Sequence, residues 1–368
     1  MKVLIDNSNL FAGGGIQVAA SFLNDLKEMK LSHSFLIVLS PNAAKAISVQ
    51  GYGEKFDFVI LSEKEHTRIP SRIKAMRNIE ALFNPDIIFT TFGPSYHKSS
   101  VKKIVGFAIG HIVYFDSPYF KEMNLFNLFK QGLINFSKSY YFKKNSDVLI
   151  FETGDALNRF KTPKRISKYE VSNTLNEVFL DKLKWVSLPL QHNSKFRILS
   201  VTANYPHKNI KIIPSIIDEL LLKGLKDFEF LLTLDKSDVN FDIRYFKYIQ
   251  FLGRVEHVAL PSLYNASDVL LVTSMLEIFS TTYLEAMYME VPIVTSNLPF
   301  ANYICANAAE FCKYNSPSQY ADSIIKLSKN KERYNELVHL GKQNLTRFGT
   351  SQQRTEKYLE IIELYGRK

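Results

Sequence analysis

Two glutamates separated by seven residues, Glu277 and Glu285, are the first candidates for chemistry in this chain. Carboxylates accept hydrogen bonds from pairs of neutral hydroxyl groups, such as those of a sugar or a ribose. The strand-like run Val269–Val272 precedes the pair, and apolar residues at helical spacing follow Glu277. This pattern predicts a strand, a short loop that holds Glu277, and a helix that begins at Ser280 or Thr281 and carries Glu285.

The start of this predicted helix is suited to binding an anion. The N–H groups of a first helical turn have no partner within the helix, and the positive end of the helix dipole lies there. A phosphate is the natural ligand of such a site, and two carboxylates beside it suit a nucleotide-sugar. The competing interpretation is that Glu277 is a solvated loop residue and that Glu285 only pairs locally.

Several segments in this half of the chain resemble the donor site of the retaining GT-B glycosyltransferases of family 4. The two glutamates with the V-P-I-V run that follows them are similar to the family's E-x7-E signature. Asn204–Asn209 resembles its lysine loop, Phe251–Val255 its F-x-G-x-V turn, and Leu260–Asp268 the helix that leads into the donor strand. The likeness is dense from about residue 196 to 330, and the motifs occur in the family's order.

The resemblance implies an α/β fold of two Rossmann-like domains that face each other across a cleft. The acceptor-binding domain is expected to span residues 1–175, with a last helix, about 352–368, crossing back onto it. The nucleotide-sugar-binding domain is expected to span residues 176–351. The alternation of strand-like and helical segments in the first half independently predicts a parallel sheet. The polar stretch Leu188–Lys195 is predicted to mark the entry to the second domain.

Three residues are assigned as catalytic. The ammonium group of Lys208 suits a diphosphate, because it offsets the negative charge that grows on the leaving nucleotide. Glu277 is expected to fix the donor sugar. His111 follows the predicted strand Ile104–Ile109 and can bond a sugar hydroxyl or the backbone, although the family often has a His-Asp pair here and this chain has His111-Ile112.

A larger set of residues is expected to bind the donor. A glycine-rich loop follows the first predicted strand, Val3–Asp6, and glycines let a ligand approach the backbone closely. It lacks the G-x-G-x-x-G spacing of a dinucleotide site. The full expected set is Gly14, Gly15, Asn204, Arg254, Val255, Glu277, Phe279, Ser280, Thr281 and Glu285.

The chain departs from the family's pattern at three positions. Thr202 stands where the family usually has an arginine six residues before the lysine, and Arg254 is a candidate to replace that cation. Ile278 and Ser280 stand where glycines are common. Backbone N–H donation survives these changes, but the space beside the donor sugar is smaller, so the identity of the donor stays open.

Composition fits two globular domains. The 368 residues are 46% apolar and 22% charged, and the two cysteines can form neither a metal cluster nor a disulfide framework. The start of the chain predicts a strand rather than a signal peptide, and the longest apolar stretch, Ile104–Phe115, is too short to span a bilayer. These features favour a cytoplasmic protein. No metal or cofactor is expected beyond the nucleotide-sugar substrate.

The net charge of +10 comes mostly from the first half, where residues 1–172 hold 23 Lys or Arg against 15 Asp or Glu. Within it, residues 121–168 hold ten basic against four acidic residues, with aromatic residues interleaved. Such a segment suits an anionic membrane surface, which would make the protein peripheral on the inner face of the cell membrane. The alternative is a core-packed helix with a solvated basic face. No nucleic-acid-binding motif is recognisable, so nucleic acid is not an expected partner.

The resemblance therefore predicts a metal-independent, retaining hexosyltransferase. Its expected partners are a UDP-, GDP- or dTDP-linked donor and a glycan or polyprenyl-linked acceptor, in bacterial surface polysaccharide synthesis. A nucleotide-sugar epimerase of the same fold is one alternative. A catalytically inactive partner subunit is another, because of the departures at Thr202, Ile278 and Ser280. A dehydrogenase is disfavoured by the missing dinucleotide fingerprint.

Overall fold

A computed structural model of the protein describes residues 1–190 and 194–366. The chain forms two compact units. The N-terminal unit contains residues 1–115, 123–173 and the chain from Thr350 onward, and the C-terminal unit contains 116–122 and 174–349. Residues 191–193 of the predicted linker, which include His192 and Asn193, lie outside the described residues.

One short segment belongs to a different unit from the one expected. Asp116–Glu122 was predicted to lie within a continuous first domain, but it packs with the C-terminal unit. The Ser117 hydroxyl donates to the Met275 carbonyl over 2.7 Å, and Lys211 pairs with Glu122 at 2.6 Å. These contacts join residues far apart in sequence, so no local pattern could have revealed them.

The N-terminal unit is built on a parallel sheet of seven strands in the order β3-β2-β1-β4-β5-β6-β7. Most of these strands are continuous apolar runs, as expected for strands covered by helices on both faces. The strands are β1 (Lys2–Asn7), β2 (Ser34–Leu39), β3 (Phe56–Ile60), β4 (Ile87–Thr90), β5 (Lys103–Phe107), β6 (Val148–Phe151) and β7 (Ser167–Glu170).

Helices connect and cover these strands. They are α1 (Gly14–Glu28), α2 (Pro41–Ala46), α3 (Glu63–Thr67), α4 (Ile69–Phe83), α6 (Leu125–Asn145), α7 (Gly154–Arg159) and the C-terminal α14 (Ser351–Gly366); α5 (Pro118–Lys121) lies in the segment that packs with the other unit. The last helix buries Tyr358, Leu359, Ile361 and Ile362 in the same core as β1 and α1. The C-terminal helix is therefore an integral part of the N-terminal unit.

The C-terminal unit contains a second parallel sheet, of six strands in the order β10-β9-β8-β11-β12-β13. Its strands are β8 (Phe196–Ser200), β9 (Phe228–Leu232), β10 (Ile249–Phe251), β11 (Val269–Val272), β12 (Ile293–Ser296) and β13 (Ala309–Cys312). Its helices are α8 (Ile213–Leu222), α9 (Leu260–Asn265), α10 (Thr281–Tyr288), α11 (Pro299–Cys305), α12 (Pro317–Lys329) and α13 (Lys331–Leu345). Both units are thus Rossmann-like. Among the described residues, none of the helices is long and apolar enough to cross a membrane.

Candidate donor site

The order of strands in the C-terminal unit marks where a ligand should bind. The chain leaves β8 toward β9 on one side of the sheet, whereas β11 lies on the other side of β8. Open α/β sheets bind ligands at such a switch point, beyond the carboxyl ends of the two strands. The loop after β8 carries Lys208, and the loop after β11 carries Glu277.

Backbone contacts hold these two loops together. The Thr273 hydroxyl donates to the Lys208 carbonyl over 2.7 Å, and the Met275 N–H donates to the His207 carbonyl over 2.7 Å. Asn209 adopts a left-handed conformation with φ of 53° and donates its side-chain amide to the Tyr314 carbonyl. Asparagine tolerates this conformation better than most residues, so it can end the short 3-10 helix Pro206–Lys208.

The contact that these loops create is an ion pair between the Lys208 ammonium and the Glu277 carboxylate. The two side chains are only 20% and 12% exposed, so bulk water screens the pair less than it would a surface pair. An ammonium group has three N–H donors. Lys208 can therefore keep its bond to Glu277 and still offer donors to an anion.

Two aromatic rings flank His207, the neighbour of Lys208. The Tyr205 ring stacks on it with centroids 5.6 Å apart, and the Tyr119 ring meets it edge-on at 6.0 Å. Burial lowers the pKa of His207, although the charge of Glu277 opposes this decrease. The lowered pKa favours a neutral imidazole at pH 7. No sequence pattern predicts that Tyr119 lies beside this loop, because the two segments are distant along the chain.

The second glutamate of the signature is placed differently from the first. Glu285 lies in α10 and is buried, and its carboxylate accepts a 2.9 Å hydrogen bond from the Tyr264 hydroxyl in α9. Burial raises the pKa of Glu285 to about 7, although hydrogen bonds from Tyr264 and Thr281 oppose that increase. Its expected role with donor hydroxyls stays a prediction, and Tyr264 already occupies one of its oxygens.

The residues around the start of α10 follow the sequence prediction in position. Ser280 is the N-cap residue, and no side chain caps the helix; the Ser280 hydroxyl instead lies 2.8 Å from that of Thr282. Thr281 is the first helical residue. The Phe279 ring meets Phe348 edge-on, and Ile278 is buried.

The remaining candidate residues in this unit contact residues other than Lys208 and Glu277. The Asn204 amide donates to the Asp238 carbonyl, and Val255 is partly buried. The Arg254 side chain is 90% exposed, with its nearest carboxylate at 4.0 Å on Glu256. Thr202, which stands in place of the family's arginine, donates its N–H to the Thr233 hydroxyl over 2.8 Å.

Three predicted site residues lie in the N-terminal unit. Gly13 has a φ of 71°, a conformation that favours glycine, and α1 begins at Gly14. A Cβ on Gly14 would meet nothing within 4 Å, whereas one on Gly15 would lie 3.4 Å from Leu10 and Phe92. His111 lies in a short 3-10 helix after β5, where its carbonyl accepts a bond from Asn135.

A metal site is not apparent in the part of the chain that the structure describes. No group of three or more His, Cys, Asp or Glu side chains there is arranged to hold a metal ion.

Comparison with known families bears on the segment that contains this site. Residues 246–344 match the family described as "Glycosyl transferases group 1". The chain carries a group 1 glycosyltransferase domain. This domain contains both glutamates of the signature and the helix α10 between β11 and β12. No curated protein matches the chain in a sequence comparison.

Solved structures share the fold over the whole chain. A sucrose-phosphate synthase from Thermosynechococcus elongatus matches with a TM-score of 0.72 and 12% identity, covering 99% of this chain and 98% of that one. Anabaena HepE, solved with UDP and glucose, and WaaG, a glycosyltransferase involved in lipopolysaccharide biosynthesis, each match with a TM-score of 0.66 and 12% identity over 98% of this chain and 99% of theirs. The fold of this glycosyltransferase is therefore GT-B.

Proposed function

We propose that this glycosyltransferase moves a hexose from a nucleotide-sugar to a glycan or polyprenyl-linked acceptor, with retention of anomeric configuration. The observation that carries the proposal is the Lys208–Glu277 ion pair at the switch point between β8 and β11. A cation next to a carboxylate suits a ligand that has a diphosphate at one end and sugar hydroxyls at the other.

The chemistry of this site is electrostatic. In the proposed reaction the bond between the sugar C1 and the diphosphate oxygen breaks, and C1 bonds to the acceptor oxygen. The acceptor proton passes to the departing diphosphate. Lys208 and the N–H groups at the start of α10 stabilise the negative charge that develops on the diphosphate, while Glu277 holds the sugar by its hydroxyls. Retention is carried over from the family that the sequence resembles.

The choice of acceptor rests on two kinds of support. WaaG, which has the same fold, is described as acting in lipopolysaccharide biosynthesis, and HepE was solved with UDP and glucose. The basic excess in the first half of the chain suits an anionic acceptor such as a lipid-linked diphosphate. We therefore place the reaction in surface polysaccharide synthesis, on the cytoplasmic side of the membrane.

A melting-temperature screen against UDP-, GDP-, dTDP- and ADP-sugars tests the proposal. A ligand that binds only the folded state must raise the melting temperature, so one donor should do so. The active donor is then incubated with a bacterial lipid extract. Sugar transfer to lipid with release of nucleoside diphosphate supports the proposal. Interconversion of free nucleotide-sugars would indicate an epimerase instead, and binding of no donor would indicate an inactive partner subunit.

A further inference from the structure

The helix α6 has its apolar side turned toward solvent. Five large side chains recur at spacings of four, four, three and four residues, which places them on one helix face. They are between 48% and 85% exposed, and Phe126 beside them is 75% exposed. These five residues, which we call the α6 apolar face, are Leu125, Phe129, Leu133, Phe136 and Tyr140.

The opposite side of α6 packs on the N-terminal unit through polar groups and through Phe142, whose ring contacts those of Phe107 and Phe160. The Asn135 amide donates to the His111 carbonyl over 3.0 Å, and Gln131 donates to Asn135 over 2.7 Å. Near the end of the helix, Asn145 donates to the Ser95 carbonyl over 2.9 Å. Phe142 and Asn145 are the buried residues of α6. The interpretation of this segment as a core-packed helix with a solvated basic face is therefore wrong: the helix exposes the side that a core would cover.

The charges of α6 indicate what covers the exposed side. The helix contains four lysines and no aspartate or glutamate. Lys144 follows the α6 apolar face and donates to the Tyr140 hydroxyl over 2.8 Å. A cationic helix with an exposed aromatic face has the composition of helices that lie in the interface of an anionic bilayer. A second copy of the chain is a poorer occupant, because a symmetric contact would oppose the same lysines across it.

We propose that the α6 apolar face docks the protein on an anionic phospholipid bilayer. The helix lies in the plane of the surface, with the α6 apolar face among the acyl chains and the exposed Lys130 and Lys144 at the phosphates. The docking does not depend on the proposed function. Its consequence for an acceptor does: α6 bonds the His111 turn on its opposite side, so docking would hold that turn one helix diameter, about 10 Å, from the surface where a polyprenyl-linked acceptor resides.

Vesicle flotation with the full chain tests this proposal. The vesicles are phosphatidylcholine alone or phosphatidylcholine with phosphatidylglycerol. We expect binding to the anionic vesicles only, falling as salt is raised from about 0.05 M to about 0.5 M, because screening weakens attraction between lysines and lipid phosphates. The double variant Phe129→Ser/Phe136→Ser should reduce binding at least about tenfold, since both side chains lose a favourable transfer into lipid.

A matched control distinguishes the effect of the α6 apolar face from that of exposed apolar side chains elsewhere in the protein. Leu183 and Leu222 are also highly exposed but lie in the C-terminal unit. The double variant Leu183→Ser/Leu222→Ser should bind vesicles as wild type does. Both double variants should keep the wild-type melting temperature, because none of the four side chains is buried.

Three results would overturn the proposal: equal binding of both double variants, salt-independent binding to neutral vesicles, or a wild-type dimer that the Phe129→Ser/Phe136→Ser variant converts to a monomer. The last would assign the face to a second copy. The donor-induced increase in melting temperature is measured on the same variants. Its presence or absence reports on the proposed function and not on docking.

Discussion

At the scale of single residues, the proposed donor site depends on Lys208 and Glu277, and their neighbours determine how well the pair is positioned. The lysine carbonyl and the adjacent His207 carbonyl are both bonded by the loop after β11. The lysine is thus held beside its carboxylate before any donor arrives. Such preorganisation lowers the cost of arranging charge during the reaction.

Burial of Glu285 predicts a pH-dependent stability. The pKa of this carboxyl is about 7 in the folded protein against 4.5 for the free group, mainly because burial disfavours its charged form. Between these values the folded state holds a proton that the unfolded state has lost, so the free energy of unfolding falls as pH rises. Glu285→Gln keeps an acceptor for the Tyr264 hydroxyl but does not titrate.

We therefore expect Glu285→Gln to gain stability relative to wild type by about 3 kcal/mol between pH 4.5 and about pH 8. Urea unfolding followed by tryptophan fluorescence measures it, because the single tryptophan, Trp185, lies in the C-terminal unit. Parallel pH profiles for the two proteins would show that Glu285 titrates normally.

The absence of the family's arginine at position 202 leads to a second prediction at the scale of single residues. Arg254 is exposed, and its guanidinium lies 4.0 Å from the carboxylate of Glu256. The guanidinium can therefore move to a bound diphosphate. Arg254→Ala should lower kcat/KM by about 10- to 100-fold, the usual effect of losing a hydrogen bond to a charged group. Arg244→Ala is the control, since Arg244 is paired with Asp218 and Asp242. Equal activity of the two variants would leave Arg254 without a role in transfer.

At the scale of elements, the sequence predicted the framework of the site well. The strand Val269–Val272 has the predicted bounds, because a buried parallel strand is a continuous apolar run. Two strands, β7 and β13, were missed. Both lie at an edge of their sheet, and the sequence S-K-Y-E of β7 has no strand-like apolar pattern.

What could not be predicted depends on contacts between distant residues. The bond between Tyr264 and Glu285 joins two helices, and the one between Ser117 and Met275 joins segments 158 residues apart. Helical spacing places Glu285 on α10 but does not reveal that Tyr264 covers its carboxylate. The exposed side of α6 belongs to the same class, since apolar spacing alone does not distinguish a core from a lipid surface.

The packing of α14 in the core of the N-terminal unit leads to a prediction at the scale of elements. Ile362 is fully buried in the core of the N-terminal unit, whereas Leu364, two residues later, is 61% exposed. Ile362→Ala should lower the free energy of unfolding of that unit by about 2–5 kcal/mol, because it leaves a cavity. Leu364→Ala should change it by less than about 0.5 kcal/mol. Urea unfolding followed by circular dichroism measures both, and equal stabilities would show that α14 does not complete this core.

At the scale of the whole molecule, the two Rossmann-like units are expected to bind different substrates. The C-terminal unit holds the Lys208–Glu277 pair and the group 1 domain, and the N-terminal unit holds most of the basic excess and α6. A basic unit, which we propose docks on lipid, suits an anionic lipid-linked acceptor, and a unit with a cation at its switch point suits a nucleotide-sugar. The likeness of the whole chain to GT-B structures is consistent with this division.

The central claim is that Lys208 binds the donor diphosphate. Calorimetric titration of the active nucleotide-sugar into wild type and Lys208→Ala tests it most directly, with Lys211→Ala as the control because Lys211 is exposed and paired with Glu122. Loss of a charge-assisted bond should weaken donor binding by about 10- to 100-fold in Lys208→Ala and leave the control unchanged. Equal dissociation constants for wild type and Lys208→Ala would contradict the claim.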